Sequence, residues 1–126
     1  MIDRSMRAEP GRMAPVTLPI EDYGIIGDLH TAALVGRDGS IDWLCLPHFD
    51  SGACFTKLLG DERHGFWRLA PAGAPGTGTV TATRRRYLPG TLVLETEMDT
   101  AEGTVRITDC MPIREGYPMV VRLVTG

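Results

Sequence analysis

Asp28, Asp42, Asp50 and Asp109 are the carboxylates whose positions invite a chemical reading. Two carboxyl groups held roughly 5–10 Å apart across a cleft can break a glycosidic bond, one as acid and the other as base or nucleophile. These four lie on separate short segments, and nothing in the sequence assembles a cleft between any two of them. Structural roles are therefore expected. Asp42 follows a turn, where a short acidic side chain commonly accepts from backbone N–H. Asp109 shares a strand face with Val105, Ile107 and Met111 and is expected to be a buried, paired carboxylate. No catalytic residue is assigned within this chain.

His30, His48 and His64 have none of the close pair spacings of metal-binding motifs, so no metal is expected. No organic cofactor is implied either. Cys45, Cys54 and Cys110 form an odd set without a CxxC pair. Three reduced, partly buried thiols are expected, which points to the cytoplasm.

The segment with the sharpest functional case is Trp43 to Ser51. It leaves a strand and enters a loop carrying Pro47, His48, Phe49, Asp50 and Ser51. Aromatic faces stack on the C–H surfaces of sugars, and carboxylates accept from sugar hydroxyls. Trp43, His48, Phe49, Asp50 and Ser51 bring these two kinds of group together in one segment. The plainer reading makes Trp43 and Phe49 packing anchors and Asp50 the cap of a short helix.

The elements that must position this segment are short strands. Thr31–Val35 and Ser40–Leu44 flank Gly36-Arg37-Asp38-Gly39, a hairpin signal in which glycine supplies positive φ. Cys54–Leu59 is the one plausible helical turn. Gly65–Ala70, Thr79–Leu88, Thr91–Asp99, Val105–Met111 and Val120–Val124 read as further strands, and 71–78 as a Gly/Pro/Ala loop. Leu92, Leu94, Met98, Val105 and Ile107 are the expected core. The fold class is all-β, an antiparallel sandwich with one short helix. The last strand runs directly into Gly126, so the domain is expected to be truncated and to continue beyond this residue.

Composition bounds the rest. With 126 residues, 43% hydrophobic and 23% charged, the chain is expected to form one packed domain. A net charge of -3 argues against nucleic-acid binding, and Arg84-Arg85-Arg86 is too short to reverse that. In a strand those three side chains alternate between faces. No apolar run approaches the length of a membrane helix, so no membrane partner is expected. Residues 1–17 carry Arg4, Arg7 and Arg12 without an apolar core and read as a disordered leader, followed by the sandwich at 18–126.

A longer pattern then becomes visible. It runs from Pro19-Ile20-Glu21-Asp22-Tyr23-Gly24 through Asp38-Gly39-Ser40-Ile41-Asp42-Trp43-Leu44-Cys45-Leu46-Pro47 to Phe49-Asp50-Ser51. Leu58-Leu59-Gly60-Asp61, Arg85-Arg86-Tyr87, Thr91-Leu92-Val93-Leu94-Glu95-Thr96 and Asp109-Cys110-Met111-Pro112 continue it. In order and spacing these pieces resemble the start of bacterial proteins of glycoside hydrolase family 15, the glucoamylase and trehalase-like group. His48 stands where arginine is common in that group, and Cys110 where a larger apolar residue is common.

The resemblance implies a supersandwich-like N-terminal domain joined to an (α/α)6 catalytic barrel, in cis or as a separate chain. It implies an inverting hydrolase of α-glucosides whose two catalytic glutamates belong to the barrel. This chain would then be a non-catalytic module that stabilises the barrel, with Trp43 and His48–Ser51 at the rim of the substrate site. The alternatives are a stand-alone carbohydrate-binding sandwich using Trp43, Phe49 and Trp67, or an inactive fragment.

Overall fold

The computed structural model describes residues 17–72 and 79–126. Most of the expected leader and most of the expected loop at 71–78 lie outside the described residues. Nine strands form two antiparallel sheets. The first sheet holds β1 (Tyr23–Gly27), β2 (Ala32–Gly36), β3 (Ser40–Cys45), β4 (Ala53–Phe55) and β5 (Trp67–Arg68). The second holds β6 (Ala82–Tyr87), β7 (Leu94–Thr100), β8 (Gly103–Cys110) and β9 (Val121–Thr125), in that spatial order.

β3 is the central strand of the first sheet. One edge pairs with β2, and the other is shared, β5 taking Ser40 and Ile41 while β4 takes Leu44 and Cys45. The β2–β3 hairpin forms as its Asp-Gly signal predicts. Gly39 adopts φ +83 and donates to the Gly36 carbonyl at 3.0 Å. The Asp38 carboxylate accepts from Ser40 N–H at 3.1 Å and from its hydroxyl at 2.5 Å, which locks the turn.

Alternation then sorts the side chains. Ala33 and Val35 on β2, and Ile41 and Leu44 on β3, turn inward. They pack with Ile26, Leu94 and Met111, and Phe55, Leu46 and Val120 close the cluster. Each of the larger enclosed side chains, such as Val35 and Met111, contributes about 1.5–3 kcal/mol on full burial, and Ala33 less. Leu94, Met98 and Ile107 are buried as expected. Leu92 is not: it is 46% exposed, because it lies in the turn before β7 begins. Val105 is half-buried.

The expected helix at Cys54–Leu59 is replaced by β4 and a single 3-10 turn, Lys57–Leu59. Phe55 is drawn into ladder pairing with Leu44, which removes half of the helical segment. There is no α-helix among the described residues, only 3-10 turns. Asp50 caps nothing, since the N-cap of that turn is Thr56 and no side chain bonds there.

Arg84 and Arg86 point outward and pair with Glu97, Asp99 and Glu95. Arg85 points inward and bridges the sheets, donating to the carbonyls of Asp22 at 2.8 Å and Val35 at 2.7 Å. Tyr87 reaches the open edge of β1. Its hydroxyl accepts from Ile25 N–H at 2.8 Å and donates to the Ile25 carbonyl at 2.9 Å. An edge that would otherwise offer free backbone groups is thereby covered at its centre.

Candidate functional site

Three of the four carboxylates are spoken for by the fold. Asp109 is fully enclosed and meets Arg122 at 2.7 Å, the pairing expected for it. Asp28 is equally enclosed. Its Oδ1 accepts from the N–H groups of His30 and Thr31 at 2.9 Å each, and its Oδ2 accepts from Arg114 at 2.9 Å. Burial works against the charged form of Asp28. The two backbone bonds and Arg114 outweigh it and hold the carboxyl below its ordinary value.

Asp42 departs from expectation. It accepts from the Tyr23 hydroxyl at 2.6 Å rather than from backbone N–H, and its other oxygen has no partner among the described residues. A register shift between Leu34 and Val35 turns Asp42 toward Tyr23 instead of the hairpin. A general acid or base must touch substrate or water. Asp28, Asp42 and Asp109, each 1–2% exposed, are enclosed by the fold and offer no surface to either. Asp50 is exposed and stands without a second accessible carboxylate on its own loop.

The loop that follows β3 is organised around short backbone contacts. Ser51 Oγ accepts from His48 N–H at 3.0 Å, and Ser51 N–H donates to the His48 carbonyl at 3.1 Å. Phe49 N–H donates to the His30 carbonyl at 3.1 Å, which sets the rings of His48 and His30 6.0 Å apart. His48, Phe49 and Asp50 all face solvent, Phe49 at 62% exposure. The loop thus presents an imidazole, an aromatic ring and a carboxylate together.

Trp43 is not part of that group. It pairs with Leu34 on the sheet face opposite the core and is half-buried there. Trp67 pairs with Ile41 and therefore lies on the core side, with the Arg122 guanidinium 5.2 Å from its ring centre. Phe49 lies beyond the other end of β3. Trp43, Phe49 and Trp67 do not form one sugar-binding platform.

Tertiary contact brings His30 and His48 together although their spacing gave no hint of it. Among the described residues, no group of three or more His, Cys, Asp or Glu is arranged to hold a metal ion. No helix of the described residues is long and apolar enough to cross a membrane. Sequence reasoning passed over Arg114, which donates to Asp28 and to the Pro47 carbonyl at 2.6 Å. A single arginine in a Pro/Gly-rich stretch carries no periodic signal that would have marked it.

Residues 11–126 match the family described as trehalase-like, N-terminal. The chain belongs to that family. The trehalase-like N-terminal unit is 42% identical over 93 residues to the trehalase of Mycolicibacterium smegmatis, covering 74% of this chain and 13% of that protein. It is 38% identical over 93 residues to the trehalase of Mycobacterium tuberculosis, with the same coverage. It is 36% identical over 110 residues to the trehalase of Thermoplasma volcanium, covering 83% and 17%. The trehalase-like N-terminal unit therefore spans 13–17% of the length of these curated relatives. No solved structure matches it.

Proposed function

We propose that this unit is the non-catalytic N-terminal module of an α-glucoside hydrolase, with trehalose as the first substrate to test. The observation that carries the reading is the commitment of its buried carboxylates. Asp28 and Asp109 are consumed in ion pairs, and Asp42 in a tyrosine contact. A hydrolase of this kind needs two accessible carboxyl groups facing one another across a cleft, and in this reading they belong to a catalytic domain joined to the module. Family membership supports the same view, because the named relatives are whole trehalases in which such a unit is a small part.

In this reading His48, Phe49, Asp50 and Ser51 form part of the rim of the substrate site. Phe49 offers a ring for stacking, and Asp50 an acceptor for sugar hydroxyls. Trp43, on the far face of β3, supports the sheet or the domain contact. The test is Phe49→Ala and Asp50→Ala in the complete hydrolase, with kinetics on trehalose and on malto- and isomalto-oligosaccharides. A raised KM is expected. Unchanged KM and kcat for both variants would remove the rim role. Glucose release by the isolated 126-residue chain would overturn the non-catalytic reading.

A further inference from the structure

Arg114 joins three segments that the sequence keeps far apart. Its guanidinium lies 2.8 Å from Asp28 Oδ2, with the arginine side chain 10% exposed and the carboxylate fully enclosed. The same guanidinium donates to the Pro47 carbonyl at 2.6 Å. Asp28 uses its other oxygen to hold His30 and Thr31, and the His30 carbonyl in turn receives Phe49 N–H. The His48–Ser51 loop is thus held on two sides. One hold runs directly from Arg114 to Pro47, and the other runs from Asp28 through His30 to Phe49. Both begin at a single ion pair.

The placement is specific to arginine. A planar guanidinium can direct separate N–H groups to a carboxylate and to a carbonyl at fixed angles, which an ammonium cannot reproduce. The pair also sits beneath strained backbone: Leu29, between Asp28 and His30, adopts φ +73 while 84% exposed. A bulky residue does not adopt this conformation unless its surroundings impose it, and the Asp28 bonds to His30 and Thr31 impose it here.

We propose that Arg114 is a positioning residue for the Pro47–Ser51 loop, setting where Phe49 and Asp50 stand relative to the bound glucoside. The inference rests on the rim reading above for its kinetic consequence, but the loop-holding step stands on the contacts alone. Displacing a binding group by about 1 Å can cost up to about 100-fold in rate.

The test uses the complete hydrolase and three variants, Arg114→Lys, Arg114→Gln and Phe49→Ala, with two readouts. The first is amide hydrogen exchange at residues 48–51. Both Arg114 variants are expected to speed it at least tenfold while the strands keep their protection. Unchanged exchange in the loop of folded variants overturns the proposal. The second readout is kinetics. Arg114→Lys is expected to keep Asp28 paired and Tm near the parent, yet to raise KM as Phe49→Ala does. A KM effect of Phe49→Ala with none from Arg114→Lys or Arg114→Gln keeps the rim and overturns the positioning role. Faster loop exchange with no kinetic effect from any variant supports Arg114 as the loop's anchor and overturns the rim reading instead.

Discussion

Arg122 and Asp109 face one another across neighbouring strands at 2.7 Å, and solvent reaches neither side chain. Arg122 also donates to the carbonyls of Trp67 and Gly39 at 2.8 Å each, so one guanidinium ties β9 to β5 and to the β2–β3 hairpin. Removing it leaves an enclosed carboxylate without its partner and takes a donor from the Trp67 and Gly39 carbonyls, the second of which keeps the Leu69 N–H. Arg122→Ala is expected to cost about 3–5 kcal/mol, measured by urea unfolding. A loss under about 1 kcal/mol would show that water reaches Asp109 freely.

Among the described residues, Tyr23 is the side chain that bonds to Asp42, at one of its two oxygens. Burial, reinforced by the Asp42 contact, pushes its phenol well above the ordinary range. A raised folded value favours the neutral phenol. Its stabilisation is complete below about pH 10 and is lost as pH rises further. Phenolate absorbance should therefore show Tyr23 un-ionised until the chain unfolds in base. Tyr23→Phe should cost about 1–3 kcal/mol by leaving Asp42 unpartnered.

Acid should act on this domain through Asp28 and Asp99. The Arg84 guanidinium beside Asp99, helped by Thr104, lowers that carboxyl to about 2. Asp28 is also lowered, its hydrogen bonds outweighing burial. Depressed carboxyls stabilise fully above their unfolded value near 4 and lose that contribution as pH falls through the folded value. Thermal melts between about pH 5 and 2 should show the slope reduced in Asp28→Asn and Asp99→Asn. Added salt should shrink the Asp99 part, because Arg84 and Asp99 remain open to solvent.

Gly39 combines positive φ with a crowded position. A Cβ there would collide with the Leu69 carbonyl, whose own residue donates N–H to Gly39 O at 3.0 Å. Gly39→Ala is expected to cost at least about 2 kcal/mol in urea unfolding, more than backbone strain alone explains. Gly90 also has positive φ but meets nothing within 4 Å, so Gly90→Ala should cost less. Equal costs at the two positions would refute the collision.

The all-β class, the Asp-Gly hairpin and the pairing of Asp109 were legible because each depends on local signals: period-two alternation, a glycine-bearing turn, and an acid on an apolar face. β1 passed unrecognised. Tyr23-Gly24-Ile25-Ile26-Gly27 has two glycines and little alternation, and it is a strand because β2 pairs along its whole length. Its Gly24 gives room to the opposite sheet, since a Cβ there would push aside the side-chain ends of Leu94 and Arg85.

The candidate site divides in the same way. The family and the composition of the loop at 47–51 were readable along the chain, because ordered runs of residues carry them. Packing alone separates Trp43 from that loop, sets His30 beside His48, and lets Arg114 hold Pro47 and Asp28 together. The physical reason is range. Propensity and alternation act over a few residues, whereas an ion pair spanning 86 positions forms only when two sheets have already packed and excluded water around it.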